Sequence, residues 1–354
     1  MRLRRILTIS LGMMALVALI AAGVGYFWVQ RTLETPFKAY DEPETVVQVK
    51  TGSGAAQILR QLQEAGVILD HRMGRLYLEH KMGNPSLQAG EYRFTEPMTL
   101  HQALEKLIRG EVVTYGVTLI EGLTAEETAA HLMAEGFGDR EVFREIMSSP
   151  ELIADLDPSA NNLEGYLFPD TYRFPRDTSE KVIVRTMVET FRRRWQEQVE
   201  PLRASGSNAA FTVREIVTLA SIVEKEAQVD EERPVIAGVY SNRLARGIAL
   251  YADPTVIFAL RLQGRWNGNL RRADLQMDSP YNTYRYPGLP PGPIASSGLA
   301  SLQAAADPAA VPYLYFVSRN DGTHVFAETL AEHNRNVNEW QKRYWRQRLS
   351  RQAK

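Results

Sequence analysis

The feature that most constrains this chain is a run from Ile6 to Trp28 without a single charged side chain. At 1.5 Å per residue such a stretch makes a helix about 34 Å long, enough to cross the hydrocarbon core of a bilayer. Arg2, Arg4 and Arg5 precede the run, and the far side turns acidic at Asp41, Glu42 and Glu44. The positive-inside rule therefore places the first five residues in the cytoplasm and the rest of the chain across the membrane. Tyr26, Phe27 and Trp28 suit an interfacial aromatic belt. A cleaved signal peptide is the competing reading, but the run exceeds an ordinary h-region and lacks a small-x-small cleavage site followed by a mature start. The expectation is an uncleaved anchor over 6–29 and a polar, proline-bearing tether over 30–44.

The remaining three hundred or so of the 354 residues are enough for two or more domains with cores of their own. Net charge is −1 and no base-reading motif is present, so nothing points to nucleic acid. Cysteine is absent, which excludes disulfides, thiolate metal sites, a Cys nucleophile and an acylated lipoprotein Cys. No residue pattern calls for a metal or an organic cofactor. His324 has no partner at ligand spacing and reads as structural.

Two segments echo each other at a constant offset of 70 residues: Gly52, Ala55, Leu62, Gly66 and Val67 against Gly122, Ala125, Leu132, Gly136 and Phe137. Each copy reads as a strand (Val46 to Val49; Gly116 to Ile120), a glycine-marked turn, then an amphipathic helix ended by a glycine suited to the left-handed region. A strand at Gly90 to Phe94 and a helix from Leu100 to Ile108 complete the first copy. The predicted organisation is α+β throughout, with modules over 45–115 and 116–160 and a larger mixed domain over 161–354. Periodicity alone does not tell a ligand-binding pair from a bare structural duplication.

Within the larger domain the densest signal is Ala220-Ser-Ile-Val-Glu-Lys-Glu-Ala227, on a helix placed at about Val213 to Gln228. Thr212 and Glu215 form a capping-box pattern at its start. Ile216, Leu219, Ala220, Val223 and Ala227 make one apolar stripe. Glu224 and Glu226 stand about 200° apart around the axis and cannot act as a side-by-side pair. Glu226 leans towards Ile222, Val223 and Val229, whereas Glu224 adjoins Ser221 and Gln228, a wetter setting. Desolvation raises a carboxyl pKa, as a general acid at neutral pH requires. The plain alternative is a solvated Glu-Lys-Glu patch, the usual fate of such residues.

Other patches surround this one in sequence. Leu163 to Tyr172 is aromatic and turn-rich and carries Glu164 and Asp170, a composition suited to sugars or equally to a buried aromatic corner. A helix from about Ser179 to Val199 follows it. Further helices are expected over Pro234 to Arg246 and from Thr329 to the end, the last with a basic tip at Arg346, Arg348, Arg351 and Lys354. Asp253 lies near a helix start, where it could serve simply as a cap. Tyr281, Asn282 and Tyr284 precede Gly288-Leu-Pro-Pro-Gly-Pro-Ile294, a loop too elaborate for a connector. Tyr313 to Val317 reads as a buried strand.

Taken in order, Glu164–Tyr172, Ala220–Glu226, Asp253–Ile257, Tyr281–Tyr284, Gly288–Ile294 and Tyr313–Val317 resemble the motifs of the MltG (YceG-like) family, the membrane-anchored endolytic murein transglycosylases. The likeness extends over nearly the whole chain after the tether, with the Asn242-Arg-Leu244 step included. It implies a LysM-like first module and a catalytic role for Glu226. It also implies cleavage of the MurNAc-β-1,4-GlcNAc bond inside nascent strands, leaving 1,6-anhydro-MurNAc ends. Peptidoglycan strands and peptidoglycan synthases are the implied partners, and the outer face of the cytoplasmic membrane the implied location. A single carboxyl suits that chemistry, because the C6 hydroxyl of the sugar replaces external water and one group serves as acid and then base. Tyr281, Asn282 and Tyr284 would then hold sugars, with Glu164 and Asp253 supporting the groove. Two other readings stay open: a two-carboxylate muramidase, and a glycan-binding scaffold without activity.

Overall fold

The computed structural model describes residues 2–343 of the chain, which divide into two compact units. The basic tip expected at Arg346, Arg348, Arg351 and Lys354 lies outside the described residues, and so do the side chains of Arg2, Arg4 and Arg5.

The first unit takes residues up to 115 together with 174–177. It opens with α1 (Arg2–Glu34), of which Gly12–Glu34 has the length and apolar composition to span a membrane. Val17, Leu19, Ile20, Val24, Phe27 and Trp28 are all exposed on it, a surface that water does not stabilise and lipid would. Then come β1 (Thr45–Val49), α2 (Ala55–Glu64), α3 (His71–His80), β2 (Gly90–Phe94) and α4 (Leu100–Arg109). The two strands pair antiparallel with Val47 opposite Tyr92. Val47 and Val49 on one strand, and Tyr92 and Phe94 on the other, turn inward at period two. They meet Ile58, Leu59 and Leu62 of α2, Leu78 of α3, and Leu104 and Leu107 of α4 in one core. Burying a Leu or Phe side chain is worth about 1.5–3 kcal/mol, so this short sheet is held by helices rather than by its own ladder. The helix α3 had no counterpart among the expected elements; its start is capped by Asp70, which accepts from the backbone N–H groups of Arg72 and Met73.

The second unit takes residues 116–173 and everything from 178 onward. Its elements are β3 (Tyr115–Thr118), α5 (Ala125–Ala134), α6 (Arg140–Ser148), β4 (Thr171–Phe174), α7 (Glu180–Arg194), α8 (Glu200–Ser205), α9 (Val213–Glu226), α10 (Arg233–Ala245), α11 (Asp253–Leu262), α12 (Leu299–Ala306), β5 (Tyr315–Ser318), β6 (His324–Ala327) and α13 (Leu330–Val337). The sheets are small: β3 pairs with β4, and β5 with β6. The helix expected to run from Ser179 to Val199 widens into a π-turn over Trp195–Val199, and the one from Thr329 does so over Asn338–Arg343. The strand expected at Tyr313 to Val317 is shifted by two residues and half-buried rather than buried, because β5 has β6 on one side only.

The centre of this unit is α9. Its start carries the capping box, with the Thr212 side chain accepting from the Glu215 N–H and Glu215 accepting from the Thr212 N–H. All eight residues from Ile216 to Val223 are buried, not only the expected stripe, since α10, α11 and α12 pack around the helix. A helix without a polar face belongs in a core.

The internal echo is visible in the backbone. Gly66 (φ +71°) and Gly136 (φ +84°) end α2 and α5 in the left-handed region. In each case the following residue, Val67 or Phe137, donates its N–H to the carbonyl of Leu62 or Leu132. A Cβ on Gly66 would also stand 3.0 Å from the carbonyl carbon of Ala39. Gly66→Ala is therefore expected to cost about 1–2 kcal/mol from backbone strain alone, and more with the clash. Gly52→Ala, with φ +83° but open space around it, should cost only the strain. Urea unfolding of the two variants checks the difference.

Candidate active site

The two glutamates at the end of α9 meet different environments: Glu226 is desolvated as expected, whereas Glu224, expected in the wetter setting, is enclosed as well. Glu224 is buried and ion-paired. Its side chain is 6% exposed and takes Arg233 Nη1 at 3.1 Å on one oxygen and the Gly298 N–H at 3.0 Å on the other. Arg233 is itself 9% exposed and also binds Ser301 Oγ at 2.7 Å and Asp230 at 3.0 Å. Sequence spacing could not show Glu224 as paired, because its partners come from α10, α12 and the loop before α12. Lys225 is also engaged, through its ammonium to the Gly122 carbonyl at 3.0 Å.

Glu226, the last residue of α9, has no cationic partner in hydrogen-bond range among the described residues. Its Oε1 accepts from the Tyr240 hydroxyl at 3.2 Å. Burial pushes its carboxyl up to about 7, the Tyr240 hydrogen bond pulls it partly back, and the negative charge of Asp253 pushes it further up. Tyr240 sits on α10, 2% exposed, where it reads in sequence as one more core residue. Nothing in the spacing marks it as the partner of Glu226.

Asp253 is exposed at the first residue of α11 and accepts the Tyr284 hydroxyl at 2.6 Å. The Tyr284 phenol is pushed well up by burial, by that hydrogen bond and by the charges of Asp253 and Glu226. The loop carrying Tyr284 is pinned to α11 by Thr283, whose hydroxyl accepts from the Ala252 N–H at 3.1 Å and meets Thr255 Oγ1 at 2.9 Å. Glu226, Tyr240, Asp253 and Tyr284 thus form one constellation. Arg243 lies beside it, buried, with its guanidinium on the carbonyls of Ala249 and Leu314.

The other expected site residues lie elsewhere or face inward. Asn282 is 0% exposed; its amide donates to the carbonyls of Leu275 and Met277 and accepts from the Tyr284 N–H. A side chain so enclosed shapes its loop and cannot touch a sugar, contrary to the expectation. Glu164 is 9% exposed and both its oxygens accept from the Ala125 N–H at 3.1 Å, at the start of α5. Burial raises its carboxyl to about 8 in spite of that N–H. It caps a helix instead of lining an open groove. Tyr281 packs its ring 5.0 Å from Phe258 and is electrostatically a neighbour of Arg214 and Glu164. His324 takes Glu232 at 2.7 Å, consistent with a structural role. Among the described residues no group of three or more His, Asp or Glu is disposed to hold a metal ion.

A single desolvated carboxyl, oriented by a phenol and flanked by a second acid and a tyrosine loop, defines a site for proton transfer at neutral pH. Residues 47–339 match the model of the YceG-like family, and the chain belongs to that family. A relative from Bacillus subtilis named endolytic murein transglycosylase is 31% identical over 327 residues, covering 88% of this chain and 89% of its own. One of the same name from Streptococcus pneumoniae is 30% identical, covering 91% of this chain but 63% of the relative. The 2.6 Å crystal structure of a YceG-like protein from Listeria monocytogenes is 32% identical with a TM-score of 0.55, covering 83% of this chain and 98% of that one.

The contrast between the two glutamates is measurable. Arg233→Met leaves Glu224 buried and unpaired and is expected to destabilise by about 3–5 kcal/mol. Glu226→Gln should act in the opposite direction. The carboxyl of Glu226 ionises at 4.5 in the unfolded chain and at about 7 in the fold. Stability is therefore lost as pH rises through that window and stays lost above it. The amide, which never ionises, is expected to be the more stable form at pH 8 by up to about 3 kcal/mol, with the advantage gone at pH 4. Chemical denaturation at the two pH values decides this.

Proposed function

We propose that this chain is an endolytic murein transglycosylase that cuts the MurNAc-β-1,4-GlcNAc bond within glycan strands, with Glu226 as general acid and then base. The observation that carries the reading is the carboxyl of Glu226, held at about 7 and bonded, among the described residues, only to a phenol. The names of the Bacillus and Streptococcus relatives supply the substrate class.

In this reading the protonated carboxyl gives its proton to the glycosidic oxygen as the C1–O bond of MurNAc breaks. The ring carries the positive charge left at C1 and O5. The resulting carboxylate removes the proton from the C6 hydroxyl of the same sugar, O6 closes onto C1, and Glu226 is again protonated. No water is consumed, so the products are a free GlcNAc 4-hydroxyl and a 1,6-anhydro-MurNAc end. The Tyr240 hydroxyl orients the carboxyl and steadies its anionic form between the two transfers. The negative charge of Asp253 favours the cationic ring, and preorganised charge of that kind is among the strongest sources of catalysis. Tyr284 and Tyr281 would contact sugars; Asn282 and Glu164 hold the loop and α5 in place.

The finer assignments rest on the same basis. Gly12–Glu34 would anchor the chain in the cytoplasmic membrane, with Arg2, Arg4 and Arg5 inside and the two units outside. The succession β1, α2, α3, β2 with antiparallel strands is what a LysM-like glycan-binding module would need. Peptidoglycan synthases are the proposed partners, since they make the strands this site would cut.

Asp253 favours a second reading. It is a second carboxylate near Glu226, as a hydrolase needs for its base or nucleophile. The two readings differ in product. Mass spectrometry of uncrosslinked strands digested by the full chain is expected to show anhydro ends, lighter by one water and absent with Glu226→Gln. Hydrated reducing ends would instead identify a muramidase. Because the protonated form starts the reaction, kcat/KM is expected to fall about tenfold per pH unit above about 7.

A further inference from the structure

Among the described residues three that are not glycine have positive φ: Asn84, Asn320 and Tyr251. Asparagine tolerates the left-handed region, but a bulky aromatic there is a genuine outlier. Tyr251 has φ +53° and is 51% exposed. It lies two residues before Asp253, and its N–H donates to the carbonyl of Thr283, in the loop that carries Tyr284. Its ring centroid is 5.1 Å from that of Tyr284 at an interplanar angle of 36°, and the Arg243 guanidinium is 5.2 Å away.

These observations conflict with a merely structural tyrosine. A glycine would make this turn with less strain, and half of the residue's surface is left in water. Backbone strain persists at sites where geometry is held for function. Tyr284 fixes the ring from one side and in turn holds Asp253, which acts on Glu226. The exposed aromatic surface therefore stands against the tyrosine that holds Asp253, immobilised before any ligand arrives.

We infer that Tyr251 is a sugar-stacking residue of this site, its exposed ring taking the C–H face of a pyranose next to the bond that is cut. The inference rests on the glycan reading of the site and adds to it a specificity-determining residue. Stacking suits a sugar because one face of the ring is apolar while its hydroxyls point sideways to water. The residue touches substrate in the ground and transition states alike, so its loss raises KM and leaves kcat nearly unchanged.

The test uses the full chain in detergent. Binding of uncrosslinked strands is measured on the Glu226→Gln background, and KM and kcat on the active enzyme. Tyr251→Ala and Tyr251→Gly are expected to weaken binding about tenfold and raise KM to match, while Tyr251→Trp restores both. Thermal melting separates the strain from the contact. Tyr251→Gly is expected to melt above Tyr251→Ala, the reverse of the usual order, because only glycine relieves the positive φ. Unchanged binding in Tyr251→Ala, against firm binding by Glu226→Gln alone, would overturn the inference and leave the glycan reading standing. Failure of Glu226→Gln itself to bind strands would overturn both.

Discussion

The second unit depends on how the end of a fully buried helix disposes of two carboxylates. Eight successive buried residues bring α9 into the core, and the chain emerges from it through Glu224 and Glu226. Ionising both in apolar surroundings would cost several kcal/mol each without compensation. Glu224 is compensated in full, by the Arg233 guanidinium and the Gly298 N–H. That pair draws α10, α12 and the loop before α12 to one point. Among the described residues Glu226 receives only the phenol of Tyr240, too weak a partner to keep it ionised below neutral pH. The same burial thus gives one carboxylate a structural duty and leaves its neighbour protonated up to about neutral pH.

The loop from Ser279 to Gly298 turns this chemistry into a positioned site. It runs beside α9, donating the Ile294 N–H to Ser221 Oγ at 3.0 Å and accepting at the Pro291 carbonyl from Arg214 Nε at 2.8 Å. Asn282 and Thr283 tie it to Leu275, Met277 and Ala252, and proline limits its backbone freedom. Little backbone entropy then remains in the loop, and a segment so constrained can hold the Tyr284 side chain in one geometry.

Much of the local structure was legible in the residues. The capping box at Thr212 and Glu215, the strand Gly90–Phe94, the helix starting at Leu100 and the echo between Gly66 and Gly136 each rest on interactions within a few positions of sequence. Where the reading failed, the missing partner was distant. Glu224 looked wet because Ser221 and Gln228 adjoin it, yet Arg233 and Gly298 enclose it. Asn282 looked like a sugar ligand because polar residues in elaborate loops often bind, yet its amide is spent on Leu275 and Met277. Tyr240 drew no attention, since a tyrosine on a helical apolar stripe is ordinary core until something is placed opposite its hydroxyl. Tyr251 could not have been singled out at all, because φ is not written in a side chain.

By itself, then, the sequence determined the membrane-length helix, the α+β elements, the burial of α9 and the candidacy of Glu226, all of which follow from hydrophobic periodicity, capping chemistry and the run of motifs. Only the tertiary structure decided which glutamate is neutralised and which is left with a phenol, and that Asp253 and Tyr284 stand beside it while Glu164 and Asn282 turn inward. The reason is physical. Periodicity says how far a side chain is from the helix axis and on which side, but a pKa depends on what another part of the chain brings within a few ångströms of it.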